Sequence, residues 1–135
     1  IKAMAFFHMP PAEFKEAYEK MKLGDHTVIY EHGSIGEKDE YFGISNRPPH
    51  FFEKAVDNGW LKWIFCGHDH LNTLSLTYKG IRMTYGMSID YLGYSGIAKQ
   101  YIQRGATLIT RKTDGNIDIT MVPLTTVVST RVRGA

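Results

Sequence analysis

Two short apolar runs that each break off at a histidine constrain this chain most. Ile1-Lys2-Ala3-Met4-Ala5-Phe6-Phe7 stops at His8 and the Pro10-Pro11 pair, and Leu61-Lys62-Trp63-Ile64-Phe65-Cys66 stops at Gly67-His68-Asp69-His70. Short apolar runs bounded by turn residues read as buried strands. Two helical patterns lie between them. From Pro10 to Met21, prolines occupy the first turn, Glu13 follows early, and Phe14, Ala17, Tyr18 and Met21 recur at three and four residues, with the end near Gly24. Pro48-Pro49 opens the second, with Phe51, Phe52, Ala55 and Val56 on its apolar side and Asn58-Gly59 as its stop. Strands separated by helices predict an α/β fold.

The rest of the chain reads differently. Glu31 to Pro49 holds Gly33, Gly36, Gly43, Pro48 and Pro49 with no sustained period, which predicts a long loop. After His70 the rhythm becomes all-β: Thr73 to Tyr78, a Lys79-Gly80 turn, Ile81 to Tyr85, then Ala106 to Arg111, a Thr113-Asp114-Gly115-Asn116 turn and Ile117 to Val122. Two hairpins follow from that pattern. Between them, Gly86 to Arg104 interleaves glycines with Tyr91, Tyr94 and Tyr101 and reads as irregular. No repeat or linker divides the chain, so residues 1–135 are expected to form a single unit.

Composition removes several function classes. The 135 residues, 43% hydrophobic, are enough for a core. The single Cys66 excludes a disulfide scaffold and leaves the compartment open. No apolar run approaches the roughly 18–20 residues of a spanning helix, so membrane insertion is not expected. The 16 Lys and Arg against 14 Asp and Glu are scattered apart from Arg131 and Arg133, and no nucleic-acid binding is expected.

His68 and His70 follow a strand one residue apart, a spacing that aims both side chains to one side if the backbone stays extended. Neutral imidazole ligates Zn, Fe or Mn without adding charge to a crowded site. A lone pair of this kind also serves as ordinary loop histidines bonded to backbone. His8, however, ends the other apolar strand, and in layered α/β folds ligands collect at such strand ends.

Phe6-Phe7-His8-Met9-Pro10, Gly67-His68-Asp69-His70 and Asn72 resemble the last two metal-binding motifs of the calcineurin-like metallophosphoesterases, nearest to the branch of phosphohydrolases related to purple acid phosphatases. Gly80-Ile81-Arg82-Met83-Thr84-Tyr85-Gly86, the Tyr91 to Gly96 stretch and Arg104-Gly105-Ala106 resemble the β-rich tail of that branch. The resemblance implies that His8 and His68 ligate one metal and His70 the other, in a site of two divalent or trivalent ions, Mn, Fe or Zn. It implies an enzyme that cleaves phosphoric mono- or diesters. The family's Asp-x-His, Gly-Asp-x-x-Asp and Gly-Asn-His-Asp or Glu motifs are absent from this sequence.

The chain therefore reads as the C-terminal half of a two-layer α/β/β/α metallophosphoesterase sandwich with a β-rich tail, its N-terminal half a missing partner. Three neutral imidazoles supply no anionic bridge between two cations, so this half alone is expected to be inactive, with one metal held weakly or none. The alternative reading is a non-catalytic binding or assembly module that retains half of the fold. A stand-alone three-histidine zinc hydrolase lacks a general base here. A half-sheet would leave the strand through Phe7 with an open edge, which predicts self-association.

Other residues carry weaker expectations. Asn72 either orients an imidazole or bonds its own turn, and Tyr91 and Tyr94 either line a pocket or pack a bend. His32 reads as a solvated loop histidine, the Glu37, Asp39, Glu40 group as a solvated face, Arg104 as a surface or helix-end ion-pair former, and Cys66 as a buried inert thiol.

Overall fold

The computed structural model describes residues 2–45, 50–100 and 102–124. Strand β1 (Ala3–Phe6) leads to helix α1 (Ala12–Lys22), β2 (Ile29–His32), α2 (His50–Asn58) and β3 (Leu61–Cys66). The strands β4 (Ser75–Tyr78), β5 (Ile81–Tyr85), β6 (Gly105–Arg111) and β7 (Ile117–Pro123) follow. Five strands form one mixed sheet in the order β1-β3-β5-β4-β2, and β6 and β7 pair separately. Strand β3 runs parallel to β1 and β5, while β4 is antiparallel to β5 and β2. The ends of β1, β2, β3 and β5 and the start of β4 consequently share one rim of the sheet.

Local chemistry sets the helix ends. At the start of α1, Pro11 takes φ −67° and ψ 151°, a conformation proline favours, and Glu13 sits in the first turn. The end closes with Gly24 at φ 81°, the Gly24 N–H donating to the Met21 carbonyl and the Asp25 N–H to the Lys20 carbonyl. That is the paired glycine-terminated cap expected where only a residue without Cβ adopts the left-handed region cheaply. The β4–β5 turn uses Lys79 and Gly80, both at positive φ, which matches the twist of a two-residue hairpin.

Both helices cover one face of the sheet. Phe14 and Ala17 of α1 and Phe52 and Ala55 of α2 pack with Ile64, Leu76, Ile81 and Met83 in one buried cluster. The Phe14 ring stacks on Tyr85 at 4.9 Å and Phe52 on Tyr78 at 6.2 Å. Burying side chains of this size contributes about 1.5–3 kcal/mol each. On the other face, Phe6 stacks on Phe65 at 5.1 Å yet remains 64% exposed.

The α/β class is therefore observed, and two expectations change. Strand β1 is not buried: it lies at the sheet edge, and only alternate residues face the core. The loop expected from Glu31 gives its first two residues to β2, whose backbone pairs with β4. The first hairpin of the β-rich segment extends the main sheet, because β5 pairs in parallel with β3 and carries β4 and β2 beyond it. The helix-opening Pro48-Pro49, Tyr101, and the Arg131 and Arg133 pair lie outside the described residues.

Candidate functional site

Backbone bonds across the rim bring the histidine-bearing segments together. The Gly67 N–H donates to the His8 carbonyl at 3.0 Å, and the Gly86 N–H donates to the Cys66 carbonyl at 2.9 Å. His68 then turns at φ 69°, a left-handed conformation uncommon for a residue with a side chain and frequent at functional sites. The backbone is thus not extended, and the two histidines of the Gly-His-x-His motif face different partners. His68 Nδ1 stands 3.2 Å from His8 Nε2, with the rings nearly perpendicular at 83°. His70 Nδ1 stands 2.7 Å from Asp90 Oδ2.

The His8–His68 spacing suits two functions. It is hydrogen-bond distance, and it is also the separation of neighbouring nitrogens on one metal ion, since metal–nitrogen bonds of about 2.1 Å put adjacent ligands roughly 3.0–3.4 Å apart. The two imidazoles suit Zn or Fe better than Mn, which favours oxygen donors. Among the described residues, no group of three His, Cys, Asp or Glu converges on a common point, and His70 does not join the His8–His68 pair.

Each imidazole of the motif lies on bare backbone. A Cβ at Gly43 would come within 2.1 Å of His68 Cδ2 and 2.7 Å of Asp69 Oδ1. One at Gly93 would come within 2.3 Å of Asp90 Oδ2 and 2.4 Å of His70 Cε1. Real Cβ atoms do not approach so closely, so both positions require glycine or a displaced ring.

Buried polar groups stitch the 33–43 loop to this rim. The Asp69 carboxylate, 4% exposed, accepts the Gly43 N–H at 2.9 Å and the Tyr85 hydroxyl at 2.6 Å. Burial, reinforced by that carboxylate, pushes the Tyr85 hydroxyl far above its ordinary pKa. Asn72, fully buried, accepts the Gly36 and Glu37 N–H groups and donates to the Tyr41 carbonyl. Its amide thus shapes the loop, across chain rather than within its own turn. Glu37 is no solvated charge: it accepts the Leu71 N–H and the Tyr94 hydroxyl. Desolvation and the Glu37 carboxylate push Tyr94 up to about 12.

The aromatic residues divide. The Tyr94 ring stands 6.2 Å from the His70 ring and forms a wall beside it, whereas Tyr91 stacks over Arg104. Arg104 is no surface residue. It is 1% exposed and donates to the carbonyls of Asp90, Ile102 and Ile97. His32 likewise leaves its expected loop for β2, where Nδ1 faces the Arg82 guanidinium at 3.2 Å. Cys66 is buried, and desolvation pushes its thiol well above the usual range, as an inert thiol requires.

Sequence reasoning missed Asp90, Gly43 and Gly93. Asp90 accepts the Leu92 and Gly93 N–H groups as well as facing His70, and the Leu92 N–H above all, then the imidazole, holds its carboxyl below the ordinary carboxylate range. Its only sequence signal is an Asp three residues before a Gly, the mark of any turn.

No family model matches the chain, and no solved structure matches it. It is 28% identical over 91 residues to the Arabidopsis thaliana protein named "Probable inactive purple acid phosphatase 29", covering 67% of this chain and 21% of that protein. It is 32% identical over 92 residues to "Probable inactive purple acid phosphatase 28" of the same plant, covering 68% and 20%. With "Probable inactive purple acid phosphatase 14", also from Arabidopsis thaliana, it shares 38% over 47 residues, covering 35% and 12%. The chain spans about a fifth or less of the length of these curated relatives. The similarity supports a phosphoesterase-related origin.

Proposed function

We propose that this chain supplies half of the dinuclear metal site of a phosphoric ester hydrolase, with His8 and His68 holding one ion and His70 the other. The observation that carries the reading is the 3.2 Å approach of His8 Nε2 to His68 Nδ1 at the ends of adjacent parallel strands. The similarity to purple acid phosphatase-like proteins supports it. Bound ions of this kind supply Lewis-acid polarisation of a phosphoryl oxygen and a nucleophile at neutral pH.

The chain's own residues have distinct tasks in this reading. His8, His68 and His70 present neutral nitrogen donors, and the Asn72 and Asp69 bonds hold the 36–43 loop against them. Tyr94 walls the site on the His70 side. Imidazole suits Zn and Fe, whereas Mn would rely on the carboxylates of a second half. Two cations about 3.5–4 Å apart repel strongly without anionic ligands, so the activity needs a second half that brings carboxylates. Among the described residues no strand pairs with the outer edge of β1, and that edge, with Phe6 exposed on one face, is the place for that half to join, and in its absence for copies of this chain to associate.

The test is metal content per chain after chelator stripping, addition of Mn, Fe or Zn, and desalting, together with aryl phosphate turnover. One loosely held ion or none, and no chelator-sensitive turnover, is expected. Two tightly held ions, or robust turnover, would overturn the half-site reading. A second reading, a non-catalytic binding or assembly module, draws on the relatives' own names, each of which carries the word inactive. It gains if the chain, supplied with a carboxylate-bearing N-terminal half, still holds no Mn, Fe or Zn.

A further inference from the structure

We propose that Asp90 is a positioning residue for His70: it fixes which nitrogen of the imidazole carries the proton and, through the same carboxylate, shapes the wall beside it. The consequence for metal binding rests on the reading above, whereas the placement of the proton does not.

Asp90 Oδ2 faces His70 Nδ1 at 2.7 Å and the Gly93 N–H at 2.6 Å, while Oδ1 accepts the Leu92 N–H at 2.8 Å. An ionised carboxylate only accepts, so the proton between Asp90 and His70 belongs on Nδ1. In the neutral ring the lone pair then lies on Nε2, the atom turned away from the carboxylate. Free histidine side chains prefer the opposite tautomer, with the proton on Nε2, so the contact selects a form that the isolated residue disfavours. Histidine ligands commonly give their second ring N–H to a carboxylate, which fixes the ring and raises its basicity.

Two further features make the contact more than a chance turn. The Leu92 and Gly93 bonds to Asp90 close the bend that carries Tyr94 to 6.2 Å from His70, where the Tyr94 hydroxyl reaches Glu37 at 2.7 Å. Gly93 also leaves no room over the pair: a Cβ would lie 2.3 Å from Asp90 Oδ2 and 2.5 Å from His70 Nδ1. Imidazole, carboxylate and glycine backbone interlock, so a change at any one displaces the others.

The experiment is long-range ¹H–¹⁵N spectroscopy of the metal-free, ¹⁵N-labelled chain at a pH where the imidazole is neutral. His70 is expected with Nδ1 protonated and Nε2 unprotonated, and a proton on Nε2 would overturn the proposal. Asp90→Ala is expected to move the proton to Nε2, and an unchanged His70 spectrum would refute the role. Gly93→Ala keeps the carboxylate but has no space for its methyl group, so it is expected to weaken the Nδ1 signature too; full retention would sink the interlock. Zn²⁺ titration by calorimetry reads the metal side, with Asp90→Ala weakening any His70-dependent binding about 10- to 100-fold. Absence of Zn²⁺ binding beside the expected tautomer upholds the placement of the proton by Asp90, whereas two tightly held ions beside that tautomer overturn the half-site reading and leave the proton placement standing.

Discussion

Truncating Asn72 to alanine should destabilise the chain more than its place in a loop suggests. The side chain is 0% exposed, and its three hydrogen bonds, at 3.0, 3.1 and 3.0 Å, go to Gly36, Glu37 and Tyr41. Alanine leaves two N–H groups and one carbonyl without a partner. An abandoned buried group costs about 1–3 kcal/mol, and because Gly36 and Glu37 are only half-buried, water returns to part of this set, which places each loss near 1 kcal/mol. The sum is about 3 kcal/mol, a large share of the roughly 5–15 kcal/mol that a domain possesses. It corresponds to a fall in Tm of about 10 °C at this length. Urea unfolding followed by tryptophan fluorescence measures it, with Thr73→Ala as comparison, since the Thr73 bonds to Ser34 are exposed and worth under about 1 kcal/mol. A loss below about 1 kcal/mol for Asn72→Ala, or equal losses for the two variants, would refute the reasoning.

Three other outcomes are expected. Burial first, and the Arg82 guanidinium second, hold the His32 pKa below its usual 6.5; the unfolded chain then takes up the proton more readily, so the stability this residue contributes above pH 6.5 is lost as pH falls through the folded value. His32→Gln should flatten the decline in urea midpoint between about pH 7 and pH 5, and parallel curves would exclude the effect. Cys66, buried with its thiol pushed up, should resist iodoacetamide in the native chain and react once urea unfolds it, whereas fast native labelling would show that the strand opens. Phe6→Lys, which places a charge on the open edge at a position 64% exposed, should convert self-associated chain to monomer by light scattering at high micromolar concentration; an unaltered chain that is already monomeric refutes self-association through β1.

Much of the fold was legible because its signals are local. The three- and four-residue spacing of Phe14, Ala17, Tyr18 and Met21, the stops at Gly24 and Gly59, and the Lys79-Gly80 turn all act within a few residues and all stand in the structure. Sheet order is not local. Ile81 to Tyr85 reads identically in a free hairpin and beside β3, and only the tertiary register, Ile64 opposite Met83, decides. Strand β1 failed for a related reason: its apolar run signals burial, but a place at the sheet edge exposes alternate residues. Strand β2 is four residues, three of them exposed, too short for a period.

The site divides the same way. A histidine at each strand end was visible, and β1–β3 pairing places His8 beside His68. The 70–90 contact was not visible, because an aspartate in a glycine-rich stretch looks like any turn former. Arg104 misled through the general exposure of arginine; here carbonyls of the 90–102 segment satisfy its donors and Tyr91 covers its plane.

The strand order also predicts different lifetimes for the two halves of the rim. Strands β3, β4 and β5 are near neighbours in sequence, whereas β1 pairs with β3, from Ala3 opposite Leu61 to Phe6 opposite Phe65, across the intervening helices. Closing a longer loop costs more entropy, and edge strands fray before central ones. Each opening of β1 would carry His8 away from His68 and leave the His70–Asp90 contact in place. Amide exchange at Ala3–Phe6 is therefore expected to outrun exchange at Trp63–Cys66, and equal rates would mean that the edge is as firmly held as the centre. One nitrogen pair would come and go with the rim of the sheet, while its neighbour keeps its partner through the same fluctuation.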